Sequence, residues 1–412
     1  MNLGIILALL ISEKFFYKEE EKVNTIGVFK NPTQILYGLG VTDQIRKIID
    51  EQNYKNILII TDAGIVKTGL INQITRQLDN INYSIYDQTQ PNPTVKNCND
   101  ALGLLREVDA DAVIAMGGGS SIDVAKAVCL LATNSGSIKE YEGIETCVNE
   151  LLPLIAIPTT AGTASEVTTF TVITDEVRQY KLTVGGVKIA PKWALVDPLV
   201  TLSLPKHITA STGLDALVHA IESYTSKMAN PISKALAREA IRKISNNLRQ
   251  AVYNGDNITA RDNMLMGSLL AGLAFNNTRL GNCHALSHPM SAIYGVAHGV
   301  ANSILIPHVM EFNTLAVPEL FSDIAEDMGE NLEGLTLMER AAAAVDAVKK
   351  LSKDIGIPTT FSEYKVDESQ IDRMAKDAML SGNIAANPRI TTYEDVIELY
   401  RRSIGGVLVE VI

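Results

Sequence analysis

The sequence predicts a chain in two parts, an α/β region with a parallel sheet followed by an all-helical region. Three observations carry this prediction. From Asn24 to about Pro205, short β-branched apolar runs alternate with helical stretches, which is the pattern of βαβ units. From Leu214 to about Ser403 the periodicity is almost only helical. And 412 residues, 46% of them hydrophobic, suffice for two cores of ordinary size.

The elements follow in order. KNILIITDAG (Lys55 to Gly64) reads as a buried strand ending in a turn, and GIVKTGLINQITRQLDN as one amphipathic helix after it. NYSIYD is a second strand and PTVKNCNDALGLLREV a second helix. DADAVIAMGGG and SIDVAKAVCLLATN repeat the pair, and LPLIAIPTT adds a strand. TVITDEV, KLTVGGV and WALVDP read as shorter strands around a turn. The helical part holds LDALVHAIESYTS, PISKALAREAIRKISNNLRQAV, ARDNMLMGSLLAGLAFNN, LMERAAAAVDAVKKLSKDIG and YEDVIELYRRS. The predicted bounds are an extension over 1–23, the α/β domain over 24–206, the helical domain over 207–404 and a tail over 405–412.

Charge and cysteine content exclude several classes. With 36 basic against 47 acidic residues, a net charge of −11 and no Lys/Arg-rich block, nucleic acid is not an expected partner. Four cysteines, Cys98, Cys129, Cys147 and Cys283, form no CxxC pair, which suits reduced thiols and a cytoplasmic location. The apolar run LGIILALLIS (Leu3 to Ser12) has the length of a signal-peptide core. No Lys or Arg precedes it, no small-x-small site follows, and a bilayer span needs about 20 residues. The expectation is a peripheral helix or a start-site extension without stable membrane insertion; the alternative is a membrane or targeting role.

Two loops suggest a nucleotide. AMGGGSSID (Ala115 to Asp123) ends a strand and opens a helix, so bare backbone at Gly118 and Gly119 and the first free N–H groups can receive a phosphate. Ser120 and Ser121 add hydroxyls, although the stretch is not a GxGxxG fingerprint and a tight structural turn is the alternative. IPTTAGTASEV (Ile157 to Val167) crowds Thr159, Thr160, Gly162, Thr163 and Ser165 into one loop, which suits a diphosphate or ribose as well as a solvated turn. Asp62, ending the first strand, stands where a carboxylate accepts from the ribose of NAD and repels the extra phosphate of NADP; the alternative is a helix N-cap.

Histidines suggest a metal. Four of the six fall in GNCHALSHPMSAIYGVAHGVANSILIPH (Gly281 to His308). In TGLDALVHAIESY, Asp215 and His219 are four apart and leave one helix face. His284 and His288 are also four apart, and His298 shares a side with His284 if the helix continues or is gently broken at Gly295. One hard oxygen and several imidazoles suit Fe(II), Zn(II) or a similar ion. Spacing alone does not choose between His284 and His288.

With both sets of motifs placed, the chain resembles the iron-containing (group III) alcohol dehydrogenases, including the propanediol and butanol dehydrogenases. The motifs GGGSSIDVAKA, PTTAGTASEVT, TASTGLDALVHAIESY and HALSHPMSAIYGVAHGVANSILIPH occur in the family's order, from Gly27 to Tyr400, about nine-tenths of the chain. The resemblance implies a Rossmann-like NAD-binding domain and an all-α metal-binding domain. It implies metal ligation by Asp215, His219, His284 and His298, with His288 beside the nicotinamide and substrate. Nucleotide contacts carry over to Asp62, Asn92, Gly118, Gly119, Ser120, Ser121, Asp123, Thr159, Thr160, Thr163 and Lys181, while His207 and His308 receive no role. The residues before 24 and after 404 extend past the family pattern without touching a motif.

The reaction implied is reversible hydride transfer between a primary alcohol or small diol, or the matching aldehyde, and NAD(H). A divalent metal, Fe(II) or alternatively Zn(II), acts as Lewis acid, and His288 or a water chain carries the proton. The rival readings are a zinc glycerol dehydrogenase and a dehydroquinate-synthase-like enzyme that also uses NAD and a metal. The family implies a homodimer or larger homo-oligomer.

Overall fold

The computed structural model describes residues 27–405. The N-terminal extension with its apolar run, and the tail beyond Gly405, lie outside the described residues.

Among the described residues there are nine strands: β1 (Gln34–Tyr37), β2 (Asn56–Ile60), β3 (Asn82–Tyr86), β4 (Ala112–Gly117), β5 (Gly143–Ile144), β6 (Leu154–Pro158), β7 (Phe170–Asp175), β8 (Tyr180–Gly185) and β9 (Trp193–Val196). The first helices are α1 (Ile45–Gln52), α2 (Ala63–Thr68), α3 (Ile71–Thr75), α4 (Val95–Glu107) and α5 (Gly119–Thr133). Six strands form a parallel sheet in the order β1-β9-β6-β4-β2-β3.

The pleat explains why the central strands are apolar throughout. Along β2, Leu58 and Ile60 enter one core with Cys98, Ala101 and Ile122, while Ile57 and Ile59 enter another with Ile45, Ile65 and Ile71. Successive side chains of a strand point to opposite faces, and helices cover both faces here, so each position is buried. Each wholly buried isoleucine contributes roughly 1.5–3 kcal/mol of apolar burial.

Three local expectations change. The single helix expected after β2 is two, because Gly69 turns left-handed (φ 75°) and ends α2. TVITDEV and KLTVGGV form an antiparallel hairpin, β7–β8, in a separate three-stranded sheet with β5, while WALV joins the main sheet between β6 and β1. Strand β1 and helix α1 have no counterpart in the sequence reading.

The helical part runs through α6 (Lys206–Thr225), α7 (Pro231–Tyr253), α8 (Ile258–Phe275), α9 (Asn282–Tyr294), α10 (His298–Thr314), α11 (Pro318–Asp327), α12 (Leu337–Asp354), α13 (Ile371–Met379), α14 (Gly382–Ala386) and α15 (Tyr393–Ile404). These helices share one large core. A smaller cluster joins the parts: Ala164, Val167, Ala194 and Val196 pack on Leu265, Leu269 and Phe275 of α8. Among the described residues, no helix is long and apolar enough to cross a membrane.

A candidate metal and nucleotide site in one cleft

The nucleotide side lies beyond the carboxyl ends of β2, β4 and β6. Strand β2 has β3 on one side and β4 on the other, so connections leave in opposite directions and a crevice opens at their ends. Asp62 follows β2 and caps α2, its Oδ1 accepting from the N–H of Gly64 (2.8 Å) and Ile65 (3.1 Å). The N-cap role weighed in the sequence is therefore present, and it uses one oxygen of the carboxylate.

Gly118 caps α5, and Gly119 opens it against the β6 loop. A Cβ on Gly119 would stand 2.6 Å from Thr163 Oγ1, so the two loops touch only because that side chain is missing. Thr159 N–H donates to Gly117 O at 2.9 Å, and Thr160 lies against Gly118. Asp123 is turned to structural partners, accepting from Ser165 Oγ (2.5 Å) and Val172 N–H (3.0 Å). Burial pushes its carboxyl up, against the pull of Lys126 and these bonds. Asn92 takes a left-handed backbone (φ 58°) and accepts from Lys181 Nζ at 2.9 Å. Burial lowers Lys181 to about 8, opposed by Asp215 and Asp123.

The metal side is built by α6, α9 and α10. Helix α6 is buried from Gly213 to Thr225, and Asp215 and His219 leave one face of it as the spacing predicts. Gly295 breaks the next segment with φ 67°, so His298 does not continue the helix of His284 but opens α10. Asp215, His284 and His298 each offer one ligand atom, and these atoms lie within 4.8 Å of one another. These three would hold a divalent metal, drawing together around it.

His219 lies outside that triad but is bound into it. Its ring stacks on His284 (centroids 4.6 Å apart) and on Phe275 (4.5 Å). Its Nδ1 is 3.2 Å from Gly162 O, a contact in which Nδ1 donates and Nε2 is left with the lone pair. His288 stands edge-on to His284, with centroids 6.4 Å apart, and 5.4 Å from His298. Burial holds His284 and His298 well below the usual imidazole range and brings His288 to about 3. For His284 and His298 burial thus favours the neutral ring, the form that metal ligation uses.

Two groups absent from the sequence reading complete the metal side. Asn302, fully buried, places its Nδ2 2.6 Å from Asp215 Oδ1, 3.0 Å from His284 Nε2 and 3.1 Å from His298 Nε2. An amide nitrogen carries two hydrogens, so three acceptors converging on one point is a donor set that suits a cation. Glu222, also buried, has Oε2 2.6 Å from His284 Nδ1. Both were accessible to helical spacing, Glu222 three residues after His219 and Asn302 four after His298.

One cavity of about 720 Å³ joins the two sides. Asn92, Gly119, Ser120, Asp123, Thr163 and Lys181 line it together with Asp215, His219, His284, His288 and His298. Asp62, Gly118, Ser121, Thr159 and Thr160 are not among the residues that line it.

Comparison with known families identifies the fold. Residues 32–198 match the iron-containing alcohol dehydrogenase model, and residues 209–404 match the C-terminal model of the Fe-containing alcohol dehydrogenase family. The chain belongs to the iron-containing alcohol dehydrogenase family. A 1,3-propanediol dehydrogenase of Citrobacter freundii is 43% identical over 353 residues, 85% of this chain and 91% of that protein. An NAD-dependent methanol dehydrogenase of Bacillus methanolicus is 37% identical over 375 residues, 90% and 98% of the two chains. A crystal structure of a 1,3-propanediol oxidoreductase superposes with a TM-score of 0.89 at 39% identity, covering 92% of this chain and all of the other.

As a member of this family the chain is an NAD-dependent oxidoreductase that interconverts alcohols and aldehydes, and a divalent metal serves the reaction. The matches favour this chemistry over the glycerol dehydrogenase and dehydroquinate-synthase alternatives. The α/β and all-helical parts are those of the iron-containing alcohol dehydrogenase fold.

Proposed function

We propose that this enzyme oxidises a small primary alcohol or diol with NAD and reduces the matching aldehyde with NADH. The observation that carries the reading is the single cavity lined by Gly119, Ser120, Thr163 and Lys181 on one side and Asp215, His284 and His298 on the other. The name of the 43%-identical propanediol dehydrogenase supports a small diol as the first substrate to try.

Asp215, His219, His284 and His298 hold the metal in this reading. When bound, the metal supplies Lewis acidity at the alcohol oxygen and NAD accepts the hydride. The chain's residues do the rest. Gly119, Ser120 and the β6 loop seat the phosphates, Lys181 and Asn92 form one hydrogen-bonded pair beside the sugar, and Asp62 selects NAD over NADP with its remaining carboxylate oxygen. His288 faces the cavity and, together with a water chain, is placed to relay the proton released by the alcohol, although burial makes it a weak base.

In this reading the two functional parts divide at 206/207, at the start of α6 (Lys206–Thr225). A cytoplasmic homodimer or larger homo-oligomer fits four free cysteines and the exposed Tyr37 and Leu39 around edge strand β1. Following NADH absorbance with a panel of primary alcohols, diols and aldehydes tests the activity. NADH formed with small diols or primary alcohols supports it, and no turnover of any of them by metal-loaded protein contradicts it.

A further inference from the structure

We infer that Glu222 is a positioning residue that sets the tautomer of His284 and thereby aims a lone pair at the metal. The inference rests on the reading of His284 as a metal ligand.

Glu222 leaves α6 on the same face as the two candidate ligands, seven residues after Asp215 and three after His219. Its side chain crosses to the first turn of α9. There Oε1 accepts the backbone N–H of Cys283 at 2.7 Å, and Oε2 lies 2.6 Å from Nδ1 of His284. A carboxylate has acceptors only, so the short contact to Nδ1 is a hydrogen bond only if Nδ1 carries the proton. Burial raises the Glu222 carboxyl to about 7, and the backbone N–H at Oε1, on a helix N-terminus, pulls the other way toward the charged form.

With the proton on Nδ1, Nε2 bears the lone pair. That nitrogen is the one 3.8 Å from Asp215 Oδ1 and 3.0 Å from Asn302 Nδ2, on the side where the three candidate ligands converge. The opposite tautomer would oppose a lone pair to the carboxylate and point an N–H at the metal. A carboxylate behind a ligating imidazole commonly fixes ring orientation and raises ligand basicity, and its loss costs 10–100-fold in metal affinity.

Glu222→Gln separates this role from simple helix anchoring. A glutamine of equal size can keep the bond from Cys283 N–H with its oxygen, but its NH₂ then faces Nδ1 and drives the proton to Nε2. The reversed amide opposes its NH₂ to Cys283 N–H. No orientation of Gln satisfies both donors, whereas Glu does.

The test uses full-length metal-free protein with ¹⁵N-labelled histidine, together with Zn(II) titrations against a competing chelator. In the wild type the His284 signal is expected from the Nδ1–H tautomer. In Glu222→Gln it is expected to shift to Nε2–H, with Zn(II) affinity falling about 10–100-fold while the metal-free protein melts as the wild type does. A wild-type Nε2–H tautomer, or unchanged Zn(II) affinity in Glu222→Gln, overturns the inference. If the variant does not fold, the wild-type spectrum still decides. The ligand reading fails separately: His284→Ala with full Zn(II) affinity would remove it and leave the tautomer measurement standing.

Discussion

Asp215 Oδ1 and His284 Nε2 stand 3.8 Å apart, and the amide nitrogen of Asn302 lies within hydrogen-bonding reach of both. Two helices, α6 and α9, thus present an anionic oxygen and a neutral nitrogen to one point, and α10 supplies a donor to it. The amide partners these acceptors in metal-free protein, and a metal on the same atoms makes it redundant. Asn302→Ala is therefore expected to lower the stability of metal-free protein by about 1–3 kcal/mol, the cost of unpaired buried polar groups, and that of metal-loaded protein by less. Thermal melts of both forms check this. An equal loss in both forms would assign Asn302 to packing alone.

The contact between Gly119 and Thr163 gives a prediction on the other side of the cavity. A methyl at position 119 would meet Thr163 Oγ1 at 2.6 Å and push the β4 and β6 loops apart. Gly119→Ala is expected to weaken NADH binding at least tenfold, about 1.4 kcal/mol, without changing metal content. Fluorescence titration of NADH with parallel metal analysis measures both. Wild-type NADH affinity would place the nucleotide elsewhere.

Lys181 is expected to give nucleotide binding a pH dependence. Burial brings its ammonium to about 8, so the cation is present below that pH and is lost above it. The unfolded chain releases the same proton only near pH 10.4. Between those values the unfolded state holds the extra proton, and stability from this group rises with pH. Nucleotide binding moves the opposite way: NADH affinity is expected to fall from about pH 7 to about pH 9.5 as the charge disappears. Lys181→Arg keeps its charge and is expected to flatten that slope. The same slope in both proteins would mean that another group titrates.

Much of the frame was legible in the sequence. Strands β2, β4 and β6 are continuous apolar runs because both sheet faces are covered, and α6 presents Asp215 and His219 on one face because 3.6 residues make a turn. Strand β1 was not legible, since QILY is four residues long and only partly buried at the sheet edge. The relation of His284 to His298 was not legible either. A left-handed Gly295 reorients the chain between them, and helical spacing cannot supply the angle of a break. Residue types alone left His284 and His288 equivalent, and the resemblance separated them; in the structure His284 joins Asp215 and His298 within 4.8 Å, while His219 and His288 stand outside that group. Glu222 and Asn302 escaped because a polar residue on a helix face acquires meaning only from the atom it meets on another helix.

The central claim is that one cavity holds a metal on Asp215, His219, His284 and His298 beside the nucleotide. Metal content measured by mass spectrometry on protein purified without oxygen, for wild type and His284→Ala, together with NADH formation from a small diol, tests it most directly. The account predicts about one divalent metal per chain in the wild type and joint loss of metal and turnover in the variant. A His284→Ala protein that is metal-free and fully active would contradict it.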